Sequence, residues 1–229
     1  MIRYLASFLL ALCVWAAPAA AAPPNYTKMV TITPQGAFVL GNPRAKVRLV
    51  EYLSYTCSHC AHFTEDASGP LKANYIAKGL VAYEMRHLVR DQLDLTAALL
   101  ARCGGPSRVF QLTEDMMGRQ PVWMADAQVI AIKQEAQLKS MPLVRQLQTF
   151  AKGSGLSAIA QARGVAPGQI NACLASDQMQ KTLLAMTKDA VDVRKLVGTP
   201  SFFINDAPGP KSSKWEDIEA ALIAALSQR

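Results

Sequence analysis

Hydrophobic residues fall along this chain in three regimes: a strand-like stretch, a long helix-like stretch, and a short return to strand. Met29–Thr33 reads as a short edge strand, and Gly41-Asn42-Pro43 as the turn after it. Val47–Leu53 is a run of β-branched, aliphatic and aromatic residues and predicts a central strand. Ser58 to about Lys78 reads as helix, kinked or broken at Gly69-Pro70 and closed by Gly79. Leu80–Leu88 then predicts a second strand, parallel to the first. From Asp91 the pattern turns helical for about a hundred residues, with Asp94 as an expected N-cap. Apolar periodicity is clearest at Val109–Met117, Leu143–Phe150, Leu156–Ala162 and Met179–Leu196, and the methionines scattered through this half read mostly as core packing. Strand character returns at Ser201–Asn205, and Trp215–Leu226 is an amphipathic terminal helix. The expected organisation is an α/β domain in two parts, residues 23–90 and 191–229, interrupted by a helical insertion at 91–190.

The chemistry concentrates where the central strand hands over to a helix. Cys57-Ser58-His59-Cys60 places two cysteines three apart, with Cys57 at a helix N-terminus. Unpaired amide N–H groups and the helix dipole favour a negative charge there, and the thiolate is the reactive form of cysteine. A structural zinc site normally takes four ligands, often two such pairs; one pair is present, with His59 and His62 as the only close additions. A c-type haem attachment needs His directly after the second Cys, and here Ala61 follows Cys60. A plain structural disulfide is disfavoured by the short ring and the helix start. Within the central strand Val47, Leu49, Glu51 and Leu53 share a face. Glu51 therefore points either into a dry region, where its pKa rises towards neutrality, or to solvent at a strand end.

The N-terminus changes how the cysteines are counted. Met1–Tyr4 carries one positive charge, Leu5–Ala17 is apolar, and Pro18 precedes a run of alanines, so residues 1–22 read as a cleaved secretory signal peptide. The apolar run falls short of the roughly 20 residues of a membrane anchor. Cys13 leaves with that segment, and Cys57, Cys60, Cys103 and Cys173 remain. In an oxidising compartment, such as the periplasm, an even count suggests two disulfides. Of the three pairings, Cys57–Cys60 with Cys103–Cys173 is the natural one; the alternative for the second pair is two buried free thiols. The formal charge of +7 is spread singly along the chain and argues against nucleic-acid binding.

One resemblance is specific. Cys57-Ser58-His59-Cys60 after a strand, a helical block, and Val197-Gly198-Thr199-Pro200-Ser201-Phe202-Phe203-Ile204-Asn205 stand in the order found in DsbA-like thiol:disulfide oxidoreductases. The resemblance covers nearly all of the chain after the signal segment and implies a thioredoxin fold with an inserted helical domain. By resemblance, Cys57 attacks or is attacked by substrate, Cys60 is its buried partner, and His59 stabilises the Cys57 thiolate. Glu51 matches a buried acid beneath the pair, and Thr199-Pro200 matches a cis-proline loop that exposes backbone to an extended substrate. Cys103 and Cys173 resemble an additional disulfide carried in the insertion. The partners implied are reduced, unfolded exported proteins and a membrane reoxidase; neither metal nor cofactor is implied beyond the Cys57–Cys60 disulfide.

The pattern also departs from the best-known members. Ser58 stands where they carry proline, which leaves oxidising strength open, and the segment after Asn205 is short. An isomerase or reductase on the same scaffold is the nearest rival. Only about two dozen residues precede the first strong strand after the signal segment, too few for a dimerising extension, so a monomer is expected. A rival of another class is a periplasmic metal-binding protein or a chaperone that uses the insertion's apolar face.

Overall fold

The computed structural model describes residues 24–228, whose six strands form one mixed sheet. The signal peptide expected at 1–22, with Cys13, lies outside the described residues. The strands are β1 (Val30–Ile32), β2 (Phe38–Leu40), β3 (Val47–Leu53), β4 (Val81–His87), β5 (Ser201–Ile204) and β6 (Ala207–Pro208), in the order β1-β2-β4-β3-β5-β6. Strands β3 and β4 run parallel, with Glu51 opposite Met85; β5 runs antiparallel on the other side of β3, with Phe202 opposite Glu51. Strand β2, absent from the sequence reading, is three consecutive buried residues with no alternation to mark it.

Helix α1 (Ser58–Pro70) crosses from β3 towards β4 and passes at Pro70 into a π-helical turn, Leu71–Ile76. The helix is loosened here and not broken. Proline offers no N–H to the carbonyl four residues back, and the wider turn absorbs the missing bond. Eight α-helices and a closing π-helical turn, Asp189–Val193, separate β4 from β5; the α-helices are α2 (Gln92–Cys103), α3 (Val109–Gly118), α4 (Gln120–Lys133), α5 (Glu135–Ser140), α6 (Leu143–Gly153), α7 (Leu156–Ala162), α8 (Pro167–Leu174) and α9 (Asp177–Lys188). Helix α10 (Trp215–Ser227) closes the chain against α1 and the sheet. This is a thioredoxin fold with an inserted helical domain. No helix among the described residues is long and apolar enough to cross a membrane.

Alternation along β3 divides the packing. Leu49 and Leu53 join Phe63 of α1, Met85 of β4, and Leu99, Leu112 and Trp123 of the insertion in one continuous buried cluster. Val50, Tyr52, Phe203 and Ala190 form a smaller cluster on the opposite face. The main core therefore runs from the sheet into the insertion without a break, and α1 is gripped by both. The N-cap of α2 is Asp91, whose carboxylate accepts from Asp94 N at 2.8 Å. Asp94, expected as the cap, sits one turn in with its side chain buried, where its carboxylate accepts from Ser54 Oγ, Tyr55 N and Arg90 N.

Cys103 and Cys173 are joined in a disulfide that ties α2 to α8, with a sequence separation of 70. Closing a loop of that length restrains the unfolded chain. Replacing both cysteines by alanine is expected to lower stability by about 2–4 kcal/mol, read as a lower urea midpoint with an unchanged Cys57–Cys60 potential.

Candidate active site

The turn Ser54–Cys57 delivers Cys57 to the N-cap of α1, where its backbone is extended (φ −96°, ψ 118°) and its carbonyl accepts from Ala61 N at 3.2 Å. Its sulfur faces the loop before β5. Cys57 Sγ lies 3.1 Å from the Thr199 carbonyl oxygen, to which it donates when protonated, and the Thr199–Pro200 peptide is cis. Cys57 and Cys60 are both free thiols. Cys57 keeps 6% of its surface at the floor of a groove of about 370 Å³; Cys60, one turn further in, has none.

The two sulfurs are electrostatically unlike. A hydrogen bond from the Cys60 thiol is the largest influence on Cys57 and lowers its pKa; burial opposes it. Thr199 and the backbone N–H groups of Cys60 and His59 also lower it, and the net result is a pKa of about 4 against an ordinary value near 9. Backbone N–H groups at a helix start suit a thiolate for the reason they suit any anion. Burial pushes Cys60 strongly the other way, helped by its bond to Cys57 and by the charge of Glu51. At neutral pH the reduced pair is one thiolate and one thiol.

Glu51 is fully buried on the α1 face of β3. Desolvation lifts its pKa to about 8, against the lowering effect of the Tyr83 hydroxyl, which donates to Oε2 at 2.5 Å; the Cys57 charge raises it further. Its Oε1 has no hydrogen-bond partner among the described residues. Beside it lies a cavity of about 30 Å³, room for one water, lined also by Tyr83, Thr113 and Ser68 and bounded by the Lys72–Glu114 ion pair. Glu51 can hold a proton at neutral pH close to both sulfurs.

His59 is exposed on the first turn of α1 and lines the groove with Cys57, Leu88, Arg90, Val191, Leu196, Val197, Gly198 and Thr199. Cys57, Cys60, His59, Glu51, Thr199 and Pro200 thus come from three separate stretches to one place, and Cys103 and Cys173 stand apart in the insertion. No group of three or more His, Cys, Asp or Glu side chains that could hold a metal occurs among the described residues. Tyr83, Asp94, Arg90 and Gln120 also belong to this neighbourhood and carry no motif. Tyr83 alone had a sequence signal: it lies on the parallel strand and two residues before the position opposite Glu51.

A buried thiol beside an acidic one, at the head of α1 and against a cis-proline loop, defines a thioredoxin-type dithiol site. The chain belongs to the thioredoxin family, whose sequence profile matches residues 33–224. Among its relatives, a "Putative protein-disulfide oxidoreductase" of Rickettsia bellii (strain RML369-C) is 35% identical over 190 residues, which cover 83% of this chain and 64% of that protein. One of the same name from Rickettsia felis is 34% identical, over 83% of this chain and 60% of its own. The chain thus spans 64% and 60% of the length of these relatives. Among solved structures, a protein-disulfide isomerase from Novosphingobium aromaticivorans superposes with a TM-score of 0.77 at 33% identity, covering 83% of this chain and 97% of that one. Wolbachia pipientis alpha-DsbA1 shares the fold, with a TM-score of 0.67 at 19% identity over 85% and 93% of the two chains.

Proposed function

We propose that this protein is an exported thiol:disulfide oxidoreductase that donates the Cys57–Cys60 disulfide to folding proteins. The observation that carries this is the inequality of the two thiols: an acidic Cys57 in the groove and a neutral, enclosed Cys60 behind it. A dithiol whose reduced form is held as a stabilised thiolate gives its disulfide away readily. A substrate thiolate attacks Cys57 Sγ, the Cys57–Cys60 bond breaks, and Cys60 leaves with the electron pair. Glu51 gives that sulfur its proton. A second substrate thiol, losing its own proton, attacks the substrate sulfur of the mixed disulfide. The substrate gains a disulfide, and Cys57 departs as a thiolate. Oxidation of the substrate and reduction of the protein balance at two electrons.

Groove and loop support the substrate class. Thr199 backbone borders Cys57, so an extended, cysteine-bearing segment can lie along it. Leu88, Val191, Leu196 and Val197 offer aliphatic contacts suited to an unfolded chain. The signal-like residues 1–22 and the paired cysteines support export to the periplasm, with reoxidation by a membrane partner; the chain acts as a monomer and needs no cofactor.

The deciding measurement is the reduction potential of the pair, by equilibration with glutathione in a Cys103→Ala/Cys173→Ala background. A value well above the glutathione poise supports donation. A thioredoxin-like reducing value overturns it in favour of a reductase or isomerase, the activity named for the Novosphingobium protein. In the same assay His59→Ala is expected to lower the equilibrium oxidising strength by on the order of tenfold, about 30 mV for a two-electron couple. An unchanged potential removes the His59 side chain from the mechanism.

A further inference from the structure

The turn before Cys57 belongs to no ladder, yet its polar groups are accounted for. Tyr55 N donates to Asp94 Oδ1 at 2.8 Å. Ser54 Oγ donates to Asp94 Oδ2 at 2.6 Å and accepts from Thr56 N at 3.2 Å. One amide nitrogen, Gln120 Nε2, donates to two carbonyls, Tyr55 O at 2.6 Å and Cys57 O at 3.0 Å. The Arg90 guanidinium donates to the Thr56 carbonyl and, at 2.9 Å, to Thr56 Oγ1. Arg90 N in turn donates to Asp94 Oδ2 at 3.0 Å. Asp94 is 1% exposed and Gln120 3%, so the bonds of these two side chains form away from water.

We infer that Arg90, Asp94 and Gln120, at the threshold of the insertion and inside it, are positioning residues for Cys57. They hold Ser54–Cys57 in the conformation that lays the sulfur over the N-terminus of α1 and against Thr199. The inference deepens the proposed function and rests on it. Its physical basis is local. The direction of the Cys57 Cα–Cβ bond follows from the two peptide planes flanking it. Gln120 holds the carbonyl of the second plane and Arg90 that of the first. Cys57 has no side-chain cap bond of its own to do this. The Cys57 carbonyl also accepts the first turn of α1, so Gln120 steadies the N–H groups that face the sulfur. The insertion is thereby part of the redox centre as well as a wall beside it.

The test is the Cys57 pKa of the reduced protein, from its thiolate ultraviolet absorbance, together with the reduction potential. Gln120→Met preserves shape and loses both donors. It is expected to make Cys57 about tenfold less acidic, and the potential falls by about 30 mV. Gln120→Glu turns a donor into an acceptor facing two carbonyls, and is expected to exceed Gln120→Met at neutral pH. A purely space-filling Gln120 predicts the reverse order, since Glu is the closer shape. Arg90 is exposed, so Arg90→Lys will fold even if the Gln120 variants do not. It keeps the charge but not the fork, and should shift Cys57 in the same direction. If wild-type Cys57 is acidic and every folded variant stays within about twofold of it, the positioning role is overturned. If wild-type Cys57 is itself not acidic, the proposed function fails first.

Discussion

Cys60→Ser protein incubated with glutathione disulfide is expected to accumulate a mixed disulfide on Cys57, whereas Cys57→Ser protein stays unmodified. Cys57 has a pKa of about 4 and is a thiolate throughout the neutral range. Cys60 is buried, is a neutral thiol over the same range, and is screened by α1. Thiolate character and access both favour Cys57. A low pKa costs some intrinsic nucleophilicity, but the loss is a fractional power of the acidity gained, so it does not cancel the difference in ionisation and exposure. The labelling rates should differ by on the order of a thousandfold or more. The trapped adduct persists because the thiol that resolves it has been removed. Intact-mass measurement over time reads the outcome. Equal labelling of the two variants, or faster labelling of Cys60, would contradict the division of roles and with it the donor mechanism.

The reach of sequence reasoning can be judged from the elements around this pair. Strands β3 and β4, the helix start at Ser58 and the return to strand at Ser201 were legible because their patterns are one-sided or bounded by turns. Strand β2 was not, since Phe38, Val39 and Leu40 are all buried and a three-residue run shows no period. Helix α4 falls inside the expected helical block but shows no periodicity of its own, for a related reason. Trp123, Ala127 and Ile130 face the core, while Val122, Val129 and Ile132 are exposed, so apolar residues surround it and no stripe emerges. Gln120, at its first position, inherited that invisibility.

The site divides along the same line. Cys57, Cys60, Thr199 and Pro200 are marked by spacing and by the loop motif, and the structure brings them together. The partners of the Ser54–Cys57 turn are ordinary Asp, Arg and Gln residues whose meaning lies in tertiary placement. Asp94 shows the limit well. Asp91 and Asp94 are both suitable caps three residues apart, and only the buried donors Ser54 Oγ and Tyr55 N decide which one faces inward.

Glu51→Gln is expected to change stability and rate in opposite directions. In the reduced protein Glu51 has a pKa of about 8, against 4.5 for an unburied glutamate. The raised folded value means that its favourable contribution is complete below pH 4.5 and is lost as pH climbs to 8. The neutral glutamine suffers no such loss. The two proteins should therefore be equally stable in acid, diverge through the window between those values, and differ by a constant amount above it. At about 1.4 kcal/mol per pH unit the variant gains roughly 3 kcal/mol at pH 7. Urea unfolding of the reduced proteins at several pH values reads this directly. Reduction of the Cys57–Cys60 disulfide should meanwhile slow by on the order of a hundredfold, because Cys60 then leaves as a buried thiolate with no acid beside it. The wild-type rate of that step should fall as rising pH ionises Glu51, at a lower pH than in the reduced protein because the disulfide form lacks the Cys57 charge, and the variant should lose this dependence. Stopped-flow tryptophan fluorescence during reduction separates the two profiles; identical profiles would remove Glu51 from the proton transfer. A carboxyl group with one oxygen unpartnered in the core lowers stability wherever it is ionised.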